Sequence, residues 1–165
     1  MDVWKEFDRN PVTHSVAHHL VAIATLLDEY GYARVSDVAR RLEITRGSAS
    51  ITLKGLKQRG LVTEDDRRFL GLSEEGLAIA RSIQAKKKVM KRLFTELLGV
   101  GDEQADIDTC KIEHLISDQT ASAALVLLRF LETERADVEG FVKALRRFSR
   151  GAAADEPLES VVHED

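Results

Sequence analysis

Cys110, Glu113 and His114 stand at i, i+3 and i+4, a spacing that brings a thiol, a carboxylate and an imidazole to one face of a helix, with Asp106 one turn earlier. His14 and His18 share a face of an N-terminal helix in the same way and can supply a further imidazole. A mixed sulfur, nitrogen and oxygen donor set suits Fe(II), Co(II), Ni(II) or Zn(II) better than Mg or Ca, which prefer oxygen alone. Spacing by itself leaves a second reading open: a small buried thiol beside a surface glutamate and a histidine satisfied by hydrogen bonds. No general base paired with a nucleophile is legible, and one site per chain is poor capacity for storage, so hydrolase and metal-storage roles are set aside.

These donors need helices to hold them. Val16, Leu20, Ile23 and Leu27 recur at helical spacing, which predicts an amphipathic helix over 12–30 stopped by Gly31. Ser36 reads as the N-cap of a short helix facing inward through Val38, Ala39 and Leu42. Thr45 reads as the cap of a second helix over 46–59, with Ala49, Leu53 and Leu56 as its core stripe and Gly60 at its end. Two short helices joined by a tight turn form a helix-turn-helix. Residues 61–64 and 69–72 then flank Asp65-Asp66-Arg67-Arg68 as a two-stranded hairpin, the wing. From Ser73 a long helix is expected to about Leu98, with Ile79, Ile83, Met90, Phe94 and Leu97 on one stripe and Gly99 and Gly101 beyond it. Further helices are expected over 103–116, 118–132 and 136–149. The predicted fold class is mainly α with a small two-stranded wing. The predicted domains are a winged helix-turn-helix domain over 1–73, a linker helix with a helical dimerisation and metal-binding domain over 74–150, and a disordered acidic tail over 151–165.

Composition supports this division. The chain has 165 residues, 44% of them hydrophobic, with only 2 Pro and 10 Gly, enough to bury a core in mostly helical form. A single cysteine excludes an internal disulfide, and no apolar run is long enough for a membrane span or signal peptide, so a cytoplasmic protein is expected. The net charge of −4 is unevenly spread. Residues 1–33 carry 2 basic and 5 acidic side chains, 34–92 carry 15 and 7, and 93–165 carry 7 and 16. A basic block around the helix-turn-helix, between acidic flanks, is the pattern of a phosphate-binding module joined to a domain of another kind.

With Ala49, Leu53 and Leu56 turned inward, the opposite face of the second helix presents Gly47, Ser50, Ile51, Lys54 and Gln58, with Ser48 beside them, to a DNA groove. Ser50 can bond to base edges and Ile51 can pack on a thymine methyl, each good contact discriminating by about 1 to 3 kcal/mol. Arg46, Lys54, Lys57, Arg67 and Arg68 would neutralise phosphates, giving affinity without sequence information.

Order and motifs together resemble the diphtheria-toxin-repressor and manganese-transport-regulator family of metal-dependent transcriptional repressors, especially its short members without an SH3-like domain. The resemblance covers about residues 12–132 and rests on Gly31-Tyr32-Ala33-Arg34-Val35-Ser36-Asp37-Val38-Ala39, Gly60-Leu61-Val62, Leu72-Ser73-Glu74-Glu75-Gly76 and Cys110-Lys111-Ile112-Glu113-His114-Leu115-Ile116-Ser117. It implies a homodimer on a palindromic double-stranded operator. It also implies one divalent transition metal per chain, Fe2+ or Mn2+ in the cell with Zn2+, Co2+ or Ni2+ able to substitute, held by His18, Cys110, Glu113 and His114. The chain departs from the family at Val21, where the manganese branch has a glutamate. It departs again at Lys87 and Lys91, where the family commonly has a histidine and a glutamate, and at Asp106, where the iron branch has a histidine. Either lysine charge replaces a second metal, with Lys87 or Lys91 paired to Asp106 or Glu113 and His14 nearby, or both lysines reach solvent or DNA phosphate. The expected function is a metal-activated repressor of metal-homeostasis genes, not an enzyme and with no membrane role. The alternative is a metal-independent or redox-responsive winged-helix repressor in which Lys87 and Lys91 stand in for the ion.

Overall fold

A computed structural model describes residues 12–152. Helix α1 (His14–Tyr30) starts where the Thr13 hydroxyl accepts a hydrogen bond from the Val16 amide, and it stops at Gly31, whose left-handed φ of 76° costs glycine little. The remaining winged-helix elements follow as α2 (Val35–Arg41), α3 (Arg46–Gln58), β1 (Val62–Glu64) and β2 (Leu70–Leu72). The strands pair antiparallel, Val62 opposite Leu72 and Glu64 opposite Leu70. Leu20, Ile23, Leu53 and Leu56 are almost wholly buried in one core, each worth roughly 1.5 to 3 kcal/mol of hydrophobic transfer.

The expected cap at Ser36 is not found. Arg34 is the last extended residue and caps α2 without a side-chain bond, because the preceding Ala33 carbonyl accepts the Leu70 amide at 2.8 Å and holds residues 33–34 along the sheet edge. Thr45 does cap α3, its hydroxyl accepting the Ser48 amide at 3.1 Å. In the wing turn, Asp65 Oδ1 accepts the amides of Arg67 and Phe69 at 2.9 and 2.8 Å, which holds the turn while Arg68 takes a left-handed φ of 66°.

Helix α4 (Glu74–Arg92) leaves the wing at a cap: Ser73 Oγ accepts the Gly76 amide at 3.1 Å and donates to the Leu61 carbonyl at 3.3 Å. Its expected continuation to Leu98 is instead a π turn over Leu93–Leu97. Thr95 Oγ1 donates back to the Lys91 carbonyl at 3.0 Å, and the Arg92 guanidinium grips Glu96 at 2.8 and 3.0 Å while also pairing with Glu132, so the ladder widens there. Gly99 (φ 72°) then turns the chain into α5 (Asp102–Ile112), α6 (Asp118–Leu131) and α7 (Ala136–Ala152). Gly151 and Ala152, expected in the tail, belong to the last turn of α7, and the rest of that tail lies outside the described residues, as do residues 1–11.

Helix α4 packs on α1 in the winged-helix half and on α5 and α6 beyond it. Ala80 is fully buried in the same core as Leu20 and Leu53, so the first turns of α4 are structurally part of the winged-helix domain. Among the described residues no helix is long and apolar enough to cross a membrane.

Gly76 makes this junction possible, because a Cβ there would lie 2.1 Å from the Leu61 carbonyl oxygen, whereas a Cβ at Gly140 in α7 would meet nothing within 4 Å. Gly76→Ala should lower stability in urea unfolding by about 1 to 3 kcal/mol. Gly140→Ala should raise it by about 0.5 to 1 kcal/mol, the ordinary gain from removing a helical glycine.

Candidate metal centre and nucleic-acid interface

The first turns of α1 and the end of α5 meet at a cluster of side-chain donors. His18 sits one turn after His14, and its Nε2 lies 3.3 Å from Cys110 Sγ. Ligand atoms of His14, His18 and Cys110 all fall within 4.8 Å of one another. A tetrahedral site with metal–sulfur near 2.3 Å and metal–nitrogen near 2.05 Å has S···N edges of roughly 3.6 Å, so the His18–Cys110 pair already spans one such edge. Glu113 Oε1 lies 4.0 Å from His18 Nε2, on the side opposite Lys87, whose Nζ is 3.8 Å from Oε2. Glu113 is 3% exposed and its Oε2 has no hydrogen-bond partner, which is costly for a carboxylate unless a cation neutralises it. Donor chemistry and spacing fit a divalent ion between α1 and α5, on the Oε1 side of Glu113.

The arrangement differs from the expected one in its details. Helix α5 ends at Ile112, because the Ile112 carbonyl accepts the Leu115 and Ile116 amides and Ser117 opens α6 by accepting the Thr120 amide at 3.1 Å. Glu113 is therefore the C-cap, still helical in its backbone and bonded through its amide to the Thr109 carbonyl, and His114 lies in the turn that follows. His114 faces His14 instead, ring centroids 5.3 Å apart, and stays outside the three-donor cluster. His14, expected only near the site, is one of the three. Its signal in the sequence was the i, i+4 spacing to His18.

Burial sets the electrostatics. It lowers the His18 and His114 imidazoles below the usual histidine range, with His14 and, for His18, Lys87 adding to the effect. Burial also raises the Cys110 thiol, assisted by the Glu113 charge, and raises the Glu113 carboxyl against the opposing pull of Lys87. A cation therefore finds at His18 an imidazole that burial keeps from holding a proton, beside a thiol. The neighbouring His19 is buried and not part of the cluster; its Nδ1–H donates to the Ser15 carbonyl at 2.7 Å.

Both lysines of α4 that replace acidic or histidine positions face acids. Lys91 Nζ donates to Asp106 at 2.8 Å and to Asp102 at 3.2 Å, fastening the first turns of α5 to α4, and Lys87 lies toward Glu113. Neither is deep: their side chains are 30% and 42% exposed.

Arg46, Gly47, Ser48, Ser50, Ile51, Lys54 and Gln58 are exposed along α3, Ile51 at 76%, and Ser48 lines one cavity together with His14 and His18. Ser48 also shares a hydrogen bond with the cap Thr45 at 2.9 Å. Lys57 does not stand free: it pairs with Glu64 of the wing, and Arg68 reaches the same carboxylate at 3.3 Å. Arg67 is exposed at the wing tip. Sequence reasoning missed Arg34, whose guanidinium stacks 4.7 Å from the Phe69 ring centre and 5.7 Å from that of Tyr32, an exposed cation fixed beside the wing. No periodicity announces that stack, because it joins a loop to a strand 35 residues on.

Fold and site together define a winged helix-turn-helix protein carrying a helical metal-binding and dimerisation domain. Residues 73–137 match the family model for the iron-dependent repressor metal-binding and dimerisation domain, and residues 11–68 match that of the MarR family. The chain is similar to the HTH-type transcriptional regulator MntR of Geobacillus thermodenitrificans, 25% identical over 139 residues that span 84% of this chain and 98% of that protein. It is also similar to the diphtheria toxin repressor of Corynebacterium efficiens, 30% identical over 82 residues that span 50% of this chain but only 36% of that repressor. The crystal structure of IdeR from T. acidophilum shares the fold, with a TM-score of 0.59 at 21% identity over 68% of this chain and 53% of that one. By these likenesses the chain is a regulator similar to the diphtheria toxin repressor and to MntR.

The acid pairs of α4 give a pH prediction. Lys91 holds the Asp106 carboxyl below the usual range, and Lys86 does the same to Asp118. A depressed folded-state pKa adds stability above the unfolded value, near 3.9, and that stability is lost as pH falls through the folded value. Lys91→Gln should therefore be less stable than the wild type at neutral pH and converge with it under strong acid. Urea unfolding across that range measures the difference.

Proposed function

We propose that the chain is a metal-dependent transcriptional repressor of metal-homeostasis genes, activated for operator binding by one divalent transition ion per chain. The observation that carries this reading is the meeting of His14 and His18, from the first helix of the winged-helix domain, with Cys110 and Glu113, from the far domain, at distances an ion can bridge. The ion does no chemistry. It binds better to the arrangement in which α1 is docked against α5, and so increases the population of the DNA-competent form. His18, His14 and Cys110 would hold it, with Glu113 completing the set and His114 stacked behind His14. A thiolate with two imidazoles favours Fe(II) or a later transition metal over Mn(II), while cellular supply decides which fills the site.

DNA would be double-stranded and palindromic, read by Gly47, Ser50, Ile51, Lys54 and Gln58, with Arg46, Arg34 and Arg67 on phosphates. The homodimer that palindromy requires has a suitable surface. Val126, Leu127 and Phe130 of α6 and Phe141 of α7 are 66%, 42%, 50% and 57% exposed in the single chain, an apolar area a monomer rarely leaves in water. A metal-independent repressor locked by Lys91 is the competing reading, supported by the Lys91 pairs with Asp102 and Asp106. The raised, part-buried Cys110 thiol speaks against a redox switch, which needs a ready thiolate.

Anisotropy titration of a duplex selected from random sequence separates these readings. With metal supplied, a chelator should weaken binding roughly 5- to 150-fold, the range of ordinary allosteric coupling. His18→Ala or Cys110→Ala should abolish that response while leaving the fold intact. Chelator-insensitive binding by the wild type would overturn metal control. A second outcome concerns Glu64: Glu64→Gln frees Lys57 and Arg68, so the salt dependence of binding should steepen by about 0.9 per phosphate gained.

A further inference from the structure

The charges around Glu113 balance only when α4 is counted. This carboxylate is 3% exposed, with one oxygen turned to His18 and the other, lacking any hydrogen bond, 3.8 Å from Lys87 Nζ. Of the neighbouring cations of α4, Lys86 pairs with Asp118 at 2.7 Å, Lys91 with Asp106 and Asp102, and Arg92 with Glu96 and Glu132, while Lys88 is exposed. An ion held by His18 and Cys110 would approach the same carboxylate from its Oε1 side. We propose that Lys87 is an affinity-setting residue, the counter-charge of Glu113 while no ion is bound, and that lysine and metal compete for that carboxylate.

This inference rests on the metal reading above and adds to it a way of tuning. Whatever Lys87 contributes to the metal-free protein is subtracted from the net gain when the ion binds, because the ion neutralises a carboxylate that already has a partner. The ammonium, a few ångströms from the site and part-exposed, also repels a divalent ion directly. Both effects raise the metal concentration at which the site fills. Lys87 thus acts as a positioning residue for Glu113 and as a threshold for occupancy, without touching DNA or the ion.

The test uses the full chain and Co(II), followed by the thiolate-to-cobalt absorption, with thermal unfolding in EDTA and in saturating Co(II). Lys87→Gln should bind Co(II) on the order of tenfold tighter than the wild type, as loss of one nearby part-screened charge implies. It should melt below the wild type in EDTA and level with it in saturating Co(II). Lys86→Gln, the same charge change aimed at Asp118, and Lys87→Arg, which keeps the charge, should bind Co(II) as the wild type does. In a Glu113→Gln background, Lys87→Gln should leave the EDTA melting temperature unchanged, since the charge it balances is gone. Equal or weaker Co(II) binding by Lys87→Gln, or an equal loss of melting temperature with and without Co(II), would overturn the competition. Absence of Co(II) uptake by the wild type would overturn the metal reading and this inference together.

Discussion

Helix α1 is committed on two sides at once, and the rest of the molecule follows from that commitment. Leu20 and Ile23 are buried with Leu53 and Leu56 of α3, and Ala80 of α4 closes the same core, with Gln84 Nε2 donating to Thr25 Oγ1 at 3.4 Å alongside. The same helix carries Val16 into this core in its first turn and His14 and His18 toward Cys110 of α5. A close-packed interior transmits displacement instead of absorbing it. Any force that sets the first turns of α1 therefore acts, through Leu20 and Ile23, on the helix that faces DNA. His14 and His18 also line a cavity with Ser48 and Thr52 of that helix, so the proposed donors and the recognition helix share a second contact region.

The basic character of residues 34–92 acquires a different meaning in three dimensions. The cations of α3 and the wing, Arg46, Lys54 and Arg67, point outward as a phosphate-binding surface should. Those near the end of α4 turn the other way: Lys86, Lys91 and Arg92 hold Asp118, Asp102, Asp106 and Glu132 of the acidic helical half. Charge asymmetry along the chain thus serves two unrelated ends, DNA affinity at one end of the block and docking of the second domain at the other. Surface ion pairs add little singly, but these recur along one seam between helices, where they fix register. Glu64 draws the boundary between the two uses, since it takes Lys57 and Arg68 out of the outward set.

Elements dictated by local rules were legible in the sequence. Thr45, Gly31, Gly60 and Ser73 mark helix ends because capping geometry depends on residues within four positions, and the inward stripe of α3 follows from a period of 3.6. The boundaries that escaped were set from a distance. Arg34, not Ser36, begins α2 because Leu70 of the wing holds Ala33 extended. The π turn follows Arg92, whose guanidinium pairs with Glu132, a partner 40 residues downstream that local rules do not reach. At the metal centre, chemical types were legible and assembly only in part. His114, in the turn before α6, meets His14 with ring centroids 5.3 Å apart, a contact between distant segments that spacing along one helix does not encode.

The fold does not need the ion in order to exist, and this bounds what the ion can do. Both halves have their own buried side chains, from Leu20 and Leu53 in one to Leu128 and Ala105 in the other, and Lys91 already ties α5 to α4. A ligand that binds one state contributes RT ln(1 + [L]/Kd), about 2.7 kcal/mol at a hundred times Kd. That is small against the total burial and comparable to the few kcal/mol that separate two arrangements of a packed domain. An ion held as proposed, by imidazole, thiol and a carboxylate that also faces Lys87, would act on that scale: it would leave the protein folded at every metal level and let concentration decide only where α1 rests.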